Sequence, residues 1–574
     1  MSGFALLAST GPSEEDAGGL DRALARARGL GMVEIARNAV CVLLVEPGCS
    51  YARRACGEGE AFFFGDAFER KDAVPTRLSG IASLLGGLWG DFCSIALRTW
   101  PEPQVEIAPA LFGTARVFVF EPASNERLYA SSLDIGLALA EEKPAIDVEE
   151  LGAFLTRSTF PRRRSCLSGI AQILPGTFDT CSLQGQRTTT WWNPWSFTPQ
   201  RSGQVARGEP EALRRVIMDC VAQTARGSHP LLELSGGFDS SVLAHCLAEA
   251  GTDFEAVTLV SSAADGDERL YARIAAEAAG ACLAEIAMRV EDIDVARPPA
   301  VRTVQPGPHI LAQHMDSLVE AVAADLGCDS FISGGGGDNV FFATFSVVPI
   351  VDLWRCRRSP AAAWRAVRDV AAITGAGQIE VASRAIYRSW WRDRAPRWEP
   401  EIDFLARALR NVQDIEHPWL ADVDMTRPGT ARHVRSLIGI LPCLEGYARG
   451  RQGRLKFPLL SGPIVEHCLG MPTWEWIGGG RDRAYSRRAF GGFMPSALLA
   501  RRQKGALDGM FAQLFSAYRT AIRDHLLGGY LAAQGLVDAQ AIEHYFAAQV
   551  ILTDKQYYRL IELAGYETWC RAWA

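Results

Sequence analysis

Through the first two hundred residues the apolar positions come in short runs, such as Val40 to Val45, Phe62 to Phe64 and Arg116 to Phe120, parted by Gly, Pro and Asn. Runs of that length between turn formers predict mostly β structure with a few helices. From Phe197 to Pro210 the chain turns polar and rich in Pro, Gly, Gln and Arg, as a connection between two units does. Beyond it, short apolar runs alternate with longer helical stretches, the pattern of a parallel sheet flanked by helices. Leu231 to Leu234 and Ala256 to Val260 read as strands. Tyr271 to Ala279 and Leu318 to Leu326 read as helices stopped by Gly280 and Gly327. From about Ala361 onward, Ala-, Arg- and Trp-rich segments with helical periodicity dominate, and no repeat of fixed period is visible. The expectation is an α/β protein in two parts, residues 1–200 and residues 205–574.

Length supports that division, because 574 residues exceed what one hydrophobic core usually organises. With 48% apolar and 22% charged residues and no long polar tract, the composition is that of a globular enzyme rather than a disordered chain. A net charge of −7 argues against a protein built to hold nucleic acid. Arginines do cluster, at Arg162 to Arg164 and at Arg481, Arg483, Arg487 and Arg488, where guanidinium groups could meet phosphates or acidic peptide; a solvated face is the plainer reading of the first cluster. The 14 cysteines show no CxxC pair and no metal-ligand spacing, which fits reduced thiols. The start, MSGFALLAST, lacks the features of a signal peptide. Leu78 to Leu97 is the most apolar window, yet its glycines, Trp89 and Asp91 suit packed strand and turn better than a membrane span. A cytoplasmic protein without membrane or nucleic-acid partners is expected.

The chemistry concentrates after the strand ending at Leu234, where Ser235-Gly236-Gly237-Phe238-Asp239-Ser240-Ser241 leads into the apolar helix that starts near Val242. Two glycines let backbone N–H groups crowd round an oxyanion, and a helix start favours negative charge there. Ser235, Ser240 and Ser241 add hydroxyls. Asp239 is out of place in an anion nest unless a cation accompanies the anion, which argues for Mg²⁺ with a polyphosphate such as ATP. The loop is neither a Walker A motif nor a dinucleotide fingerprint. An ordinary glycine-rich turn is the competing reading.

A second strand end, Phe331-Ile332, is followed by Ser333-Gly334-Gly335-Gly336-Gly337-Asp338. In an open α/β sheet ligands bind beyond the carboxyl ends of strands, so both loops could face one crevice, with Asp338 sharing the metal with Asp239. A flexible glycine linker is the alternative, weakened by the acid and the apolar Val340-Phe341-Phe342 that follow. Between the loops, Asp265-Gly266-Asp267-Glu268-Arg269 opens a helix, where acids serve the helix dipole as readily as a substrate.

Together these residues resemble the ATP-pyrophosphatase domain of the asparagine synthetase B superfamily. SGGFDSS matches its SGGxDSS loop, and weaker matches follow in the family's order. They are Leu167 to Gly176 with Trp191-Trp192, then Asp267-Glu268, Ser333 to Asp338, Pro458-Leu459-Leu460 with Val465-Glu466, and Gln503-Lys504-Gly505. Within the superfamily the chain is most similar to lasso peptide cyclases. That likeness rests on Gly266-Asp267-Glu268-Arg269 before Tyr271-Ala272-Arg273, on Gly334 to Phe341, on His417-Pro418-Trp419-Leu420 and on Gly479-Gly480-Arg481-Asp482-Arg483. β-Lactam synthetases place a tyrosine inside the second loop, where this chain has Gly335.

The resemblance implies a glutaminase-like α+β sandwich of the Ntn type before the ATP-pyrophosphatase domain. Asparagine synthetases begin with a catalytic cysteine after the initiator methionine; here Ser2 stands there, a much weaker nucleophile, so glutamine hydrolysis is not expected. It further implies that Leu234, Ser235, Gly236, Gly237, Asp239, Ser240, Ser241, Ser333 and Gly334 bind ATP. Asp239 and Asp338 would hold Mg²⁺, Asp267 and Glu268 would contact substrate, and Lys504 would stabilise the departing pyrophosphate. Glu445 is a candidate general base, with a salt-bridged glutamate as the plainer reading. The implied partners are a precursor peptide and, beside it, a leader-peptide-binding protein and a leader peptidase. Trp390, Trp391, Trp398 and Trp419 could wall a peptide channel, although tryptophans are more often core. An asparagine- or β-lactam-forming ligase and a non-catalytic peptide-binding homologue remain as alternatives.

Overall fold

The computed structural model describes residues 3–9, 18–57, 59–71, 80–99, 101–123, 125–140, 143–199, 209–261, 267–307, 310–357, 359–390, 398–410, 417–424, 426–502, 508–548 and 556–574. Ser2, most of the expected linker, Asp265 and Gly266, Trp391 and the Gln503-Lys504-Gly505 motif lie outside the described residues.

Up to residue 199 the chain forms two six-stranded antiparallel sheets. The first has the order Ile170–Gln172, Phe118–Ala123, Glu126–Ala130, Phe4–Ser9, Cys41–Val45, Val33–Arg37. The second has the order Gly185–Thr190, Thr177–Ser182, Gln104–Ala108, Leu88–Arg98, Gly59–Glu69, Ala52–Ala55. Side chains alternate across a strand, so Phe4, Leu6 and Ala8 enter the core between the sheets, against Phe62, Ile95 and Ile107. Ala5 and Leu7 turn the other way, into a core shared with Leu514, Leu526, Leu560 and Trp569. Those four belong to the helices Asp508–Leu527 and Gln556–Trp573 at the far end of the chain. A strand covered on both faces needs apolar residues at every position, which is why Phe4 to Ala8 shows no polar alternation. The described part of the apolar window expected from Leu78, from Gly80 onward, is the helix Ile81–Leu85 followed by the strand Leu88–Arg98; Leu78 itself lies outside the described residues. Its acid is satisfied, since the Asp91 carboxylate accepts bonds from the Thr114 and Ala115 N–H groups at 2.9 and 2.8 Å.

The second part is built on a five-stranded sheet, ordered Leu283–Met288, Glu255–Ser261, Pro230–Glu233, Ser330–Ile332, Leu455–Lys456, with every pairing parallel. Helices Pro210–Ala225, Phe238–Glu249, Arg269–Ala279 and Ile310–Leu326 accompany it, and mostly helical chain follows from Val348. The strands agree with the hydrophobic pattern within two residues, but the helix expected at Leu318 begins at Ile310. Its first turns carry Asp316 inward, where it pairs with Arg449 at 2.7 Å and accepts the Ala448 N–H at 2.7 Å. A buried acid breaks the apolar stripe that marks such a helix. No helix among the described residues is long and apolar enough to cross a membrane.

A buried ion pair helps tie the two parts together. Glu466, on the helix Gly462–Leu469, receives both terminal nitrogens of Arg70, at 2.6 and 2.9 Å, and the indole N–H of Trp192 at 2.8 Å. The two ionic side chains are only 6% and 10% exposed. Removing one member of such a pair strands the other charge, so Glu466→Ala is expected to lose about 3–5 kcal/mol of stability, read by urea unfolding.

Candidate active site

The strand Pro230–Glu233 is extended by Leu234, whose N–H reaches the Val257 carbonyl at 2.8 Å, and the chain then turns at Ser235. Gly236 takes φ +67°, and a β-carbon there would lie 2.4 Å from the Ala272 nitrogen, so this turn under the helix Arg269–Ala279 requires glycine. Gly237 caps the helix Phe238–Glu249. Ser240 and Ser241 donate their hydroxyls to the Gly237 carbonyl at 3.2 and 2.8 Å, and Ser235 Oγ accepts the Gly237 N–H at 3.3 Å. The hydroxyls thus brace the loop in which they sit.

The second glycine loop follows the neighbouring parallel strand Ser330–Ile332 and packs directly on the first. Gly337 lies so close to Asp239 that a β-carbon would stand 2.5 Å from the carboxyl carbon. Gly334 faces the Ser240 backbone, where a β-carbon would meet the nitrogen at 3.2 Å. The glycine run is therefore a contact surface rather than a flexible linker.

Both loops line a cavity of about 450 Å³. Leu234, Ser235, Gly237, Asp239, Ser240, Ser333, Gly334 and Asp338, all anticipated from sequence, border it. Gly236 and Ser241 are buried and support the loop from behind. Leu259, Met288, Met315, Val319 and Ile440 give the cavity an apolar wall, and Arg483, Arg487, Arg501 and Arg502 bring positive charge. An apolar slot beside glycine loops and guanidinium groups suits a ligand with a flat base and a polyphosphate.

The acids meet an arginine. Arg483 Nη1 lies 3.0 Å from Asp239 Oδ2 and 2.6 Å from Asp338 Oδ1, while its Nε bonds Asp482 at 2.7 Å. Burial works against the guanidinium charge, but the carboxylates of Asp239, Asp338 and Asp482 outweigh it and hold the group above its ordinary value. Two carboxylates converging on one cation are also the protein share of a usual Mg²⁺ site, where phosphates and water complete the shell. Asp239 and Asp338 fit that role.

The other anticipated residues separate. Glu268 borders the cavity and pairs with Arg501, whose guanidinium lies 4.2 Å from the Tyr271 ring centre. Asp267 is turned to solvent, where hydrogen bonds from Arg269 hold its carboxyl down at about 2. Glu445 does not border this cavity. It lies in a second one, of about 960 Å³, between the two parts of the chain, with Arg116 Nε at 3.7 Å; burial raises its carboxyl and Arg116 partly offsets that. The salt-bridged reading of Glu445 is the one the geometry supports. Among the tryptophans, Trp419 is fully buried and Trp390 is 73% exposed; neither these nor Trp398 borders the cavity. In the sequence Arg483 stands out only as one of an arginine cluster and as the end of the Gly479 to Arg483 motif, and neither signals its pairing with the two acids.

A parallel sheet whose neighbouring strands end in two glycine loops, with acids and arginines gathered beyond them, defines a nucleotide-using α/β domain. The family model described as asparagine synthase matches residues 212–571, well over half of the chain. The chain belongs to the asparagine synthase family, ATP-dependent amide-forming ligases that generally use Mg²⁺. Curated proteins give no match. A solved structure described as the allosteric regulatory enzyme of purine biosynthesis aligns over 57% of this chain and 83% of its own, at 9% identity and a TM-score of 0.19, too low to bear on the fold.

Two predictions follow from this packing. Gly337→Ala should push the Asp239 carboxylate aside and abolish ATP binding and turnover, with at most about 1–3 kcal/mol lost from overpacking. The readouts are ATP binding by calorimetry, ATP consumption and urea unfolding. His433, fully buried, faces the Val340 carbonyl at 3.0 Å, just after the second loop, and burial pushes it down to about 4 from an ordinary 6.5. The unfolded chain therefore takes up this proton first. Stability is full above about pH 6.5 and should fall by about 1.4 kcal/mol per pH unit as pH drops towards 4. His433→Gln should flatten that part of the unfolding-versus-pH curve.

Proposed function

We propose that this chain is a lasso-peptide-cyclase-type ligase, which adenylates an Asp or Glu side chain of a precursor peptide and joins it to the peptide's own N-terminal amine. The observation that supports the reading is the coexistence of a cavity lined by both glycine loops, Asp239 and Asp338 with Ser2 at the place where asparagine synthetases carry their glutaminase thiol. A serine hydroxyl is a much weaker nucleophile than a thiolate, which favours an amine that arrives on the substrate or free in solution.

In this reading a carboxylate oxygen of the peptide attacks the α-phosphorus of ATP, pyrophosphate leaves, and an acyl-adenylate forms. The amine nitrogen then attacks the acyl carbon, AMP leaves with the bonding pair, and the extra proton passes to solvent. Asp239 and Asp338 would hold Mg²⁺, which would neutralise charge on the departing pyrophosphate. The first loop positions the phosphates through Ser235, Gly237 and Ser240, and Lys504 meets the charge that develops on pyrophosphate. An α-amine with a pKa near 8 needs no strong base, so the placement of Glu445 away from the cavity leaves the chemistry intact.

Incubation of the purified protein with ATP, Mg²⁺ and a precursor peptide, with leader-binding protein and peptidase present, should give a product lighter by one water together with AMP. Asparagine formed instead from aspartate and ammonia would replace this reading with the small-substrate one, and absence of any AMP would favour a non-catalytic peptide binder. Asp239→Ala and Lys504→Ala should each reduce turnover at least a hundredfold on the scale of lost electrostatic stabilisation. In Asp239→Ala the fold should persist, because Arg483 keeps Asp338 and Asp482.

A further inference from the structure

Arg483 occupies an unusual position. It is one of three non-glycine residues described at positive φ, at +51°, where a side chain costs about 1–3 kcal/mol of backbone strain. The surroundings hold it there. Ser486 Oγ donates to its carbonyl at 2.9 Å, Asp482 takes Nε, and the Phe238 ring lies 5.7 Å from its guanidinium carbon. The result of that strain is a single nitrogen, Nη1, shared by the two carboxylates that fit a metal. Asp239 is 7% exposed, so its contact with Arg483 is made inside the protein, while the Asp338 side chain, 44% exposed, opens that pair towards the cavity.

A divalent ion bound by Asp239 and Asp338 draws on the same two carboxylates, of which Nη1 takes one oxygen each. Two cations cannot both be closest to them, because like charges a few ångströms apart in a partly buried site repel strongly. That repulsion favours release of at least one carboxylate by Nη1 when the ion enters. A guanidinium released with nothing else to pair would be costly, whereas one released beside a polyphosphate finds charge-assisted acceptors at once. The cavity supplies that setting, since Arg483 borders it together with Arg487, Arg501 and Arg502.

We propose that Arg483 is a built-in counter-ion which Mg²⁺ and nucleotide displace together: the carboxylates pass to the metal and the guanidinium passes to a phosphate oxygen. Only ion pairs are exchanged and no covalent bond changes. Arg483 is then a positioning residue that couples the metal to the nucleotide, so that metal alone binds weakly and metal with nucleotide binds well. The inference rests on the ATP and Mg²⁺ part of the proposed function and is independent of which amide is made.

Coupling of this kind is reciprocal and measurable at equilibrium. The test uses the full-length chain and Mn²⁺, with free Mn²⁺ followed by electron paramagnetic resonance, in the presence and absence of the α,β-methylene analogue of ATP. The unaltered protein should bind Mn²⁺ on the order of tenfold or more tightly with the analogue present. In Arg483→Gln, Mn²⁺ affinity without nucleotide should rise by on the order of tenfold, and the gain from the analogue should shrink. Arg483→Lys, which keeps the charge, should stay close to the unaltered protein without nucleotide. Unchanged Mn²⁺ affinity in folded Arg483→Gln, or equal affinity with and without the analogue in the unaltered protein, would overturn the proposal. If Arg483→Gln does not fold, that second comparison and Arg483→Lys still decide. A protein that shows the coupling yet cyclises no peptide would refute only the peptide reading.

Discussion

Asp239 sets the terms for the whole site. A carboxylate in the first turn of a helix gains from the helix dipole, but one that is 7% exposed still requires a compensating cation. That need draws Arg483 across from a turn 244 residues away in sequence and holds its backbone in the left-handed region. It also fixes the second loop, because only glycine at 337 lets that loop come close enough to bring Asp338 alongside. The parallel pairing of Pro230–Glu233 with Ser330–Ile332 makes the approach possible by releasing both loops on the same edge of the sheet.

Much of this was legible in the sequence because it is local. The strands before both loops are short apolar runs, and the glycines and acids sit at fixed places after them. A reader of the sequence can therefore name Ser235, Asp239 and Asp338 before seeing any contact. What was not legible is what depends on distant partners. Asp267 and Glu268 are adjacent, yet one meets solvent and the other the cavity, because Arg501 draws only Glu268 inward. Glu445 was a plausible base until its neighbour was known to be Arg116, on the other part of the chain. The early start of the helix at Ile310 was hidden by Asp316, an acid whose partner Arg449 lies far along the chain. Periodicity reports which face is apolar, and an inward ion pair disguises that face.

The two cavities are joined by one stretch of backbone. Ile440 borders the glycine-loop cavity, and Leu444 to Tyr447 border the second. Between them Leu441 gives its carbonyl to Arg116 at 3.1 Å. Any shift of this segment is therefore felt in both places, which connects the N-terminal sheets to the glycine-loop cavity by packing alone.

The helices Asp508–Leu527 and Gln556–Trp573 bury their apolar faces with Ala5, Leu7, Phe118 and Leu128 of the first sheet. The core they share belongs to neither part alone. Excising the N-terminal part would expose the apolar faces of these helices, so it is structurally indispensable to the second part whatever chemistry it performs. A truncation placed between the two parts would therefore cut through one hydrophobic interior rather than between two.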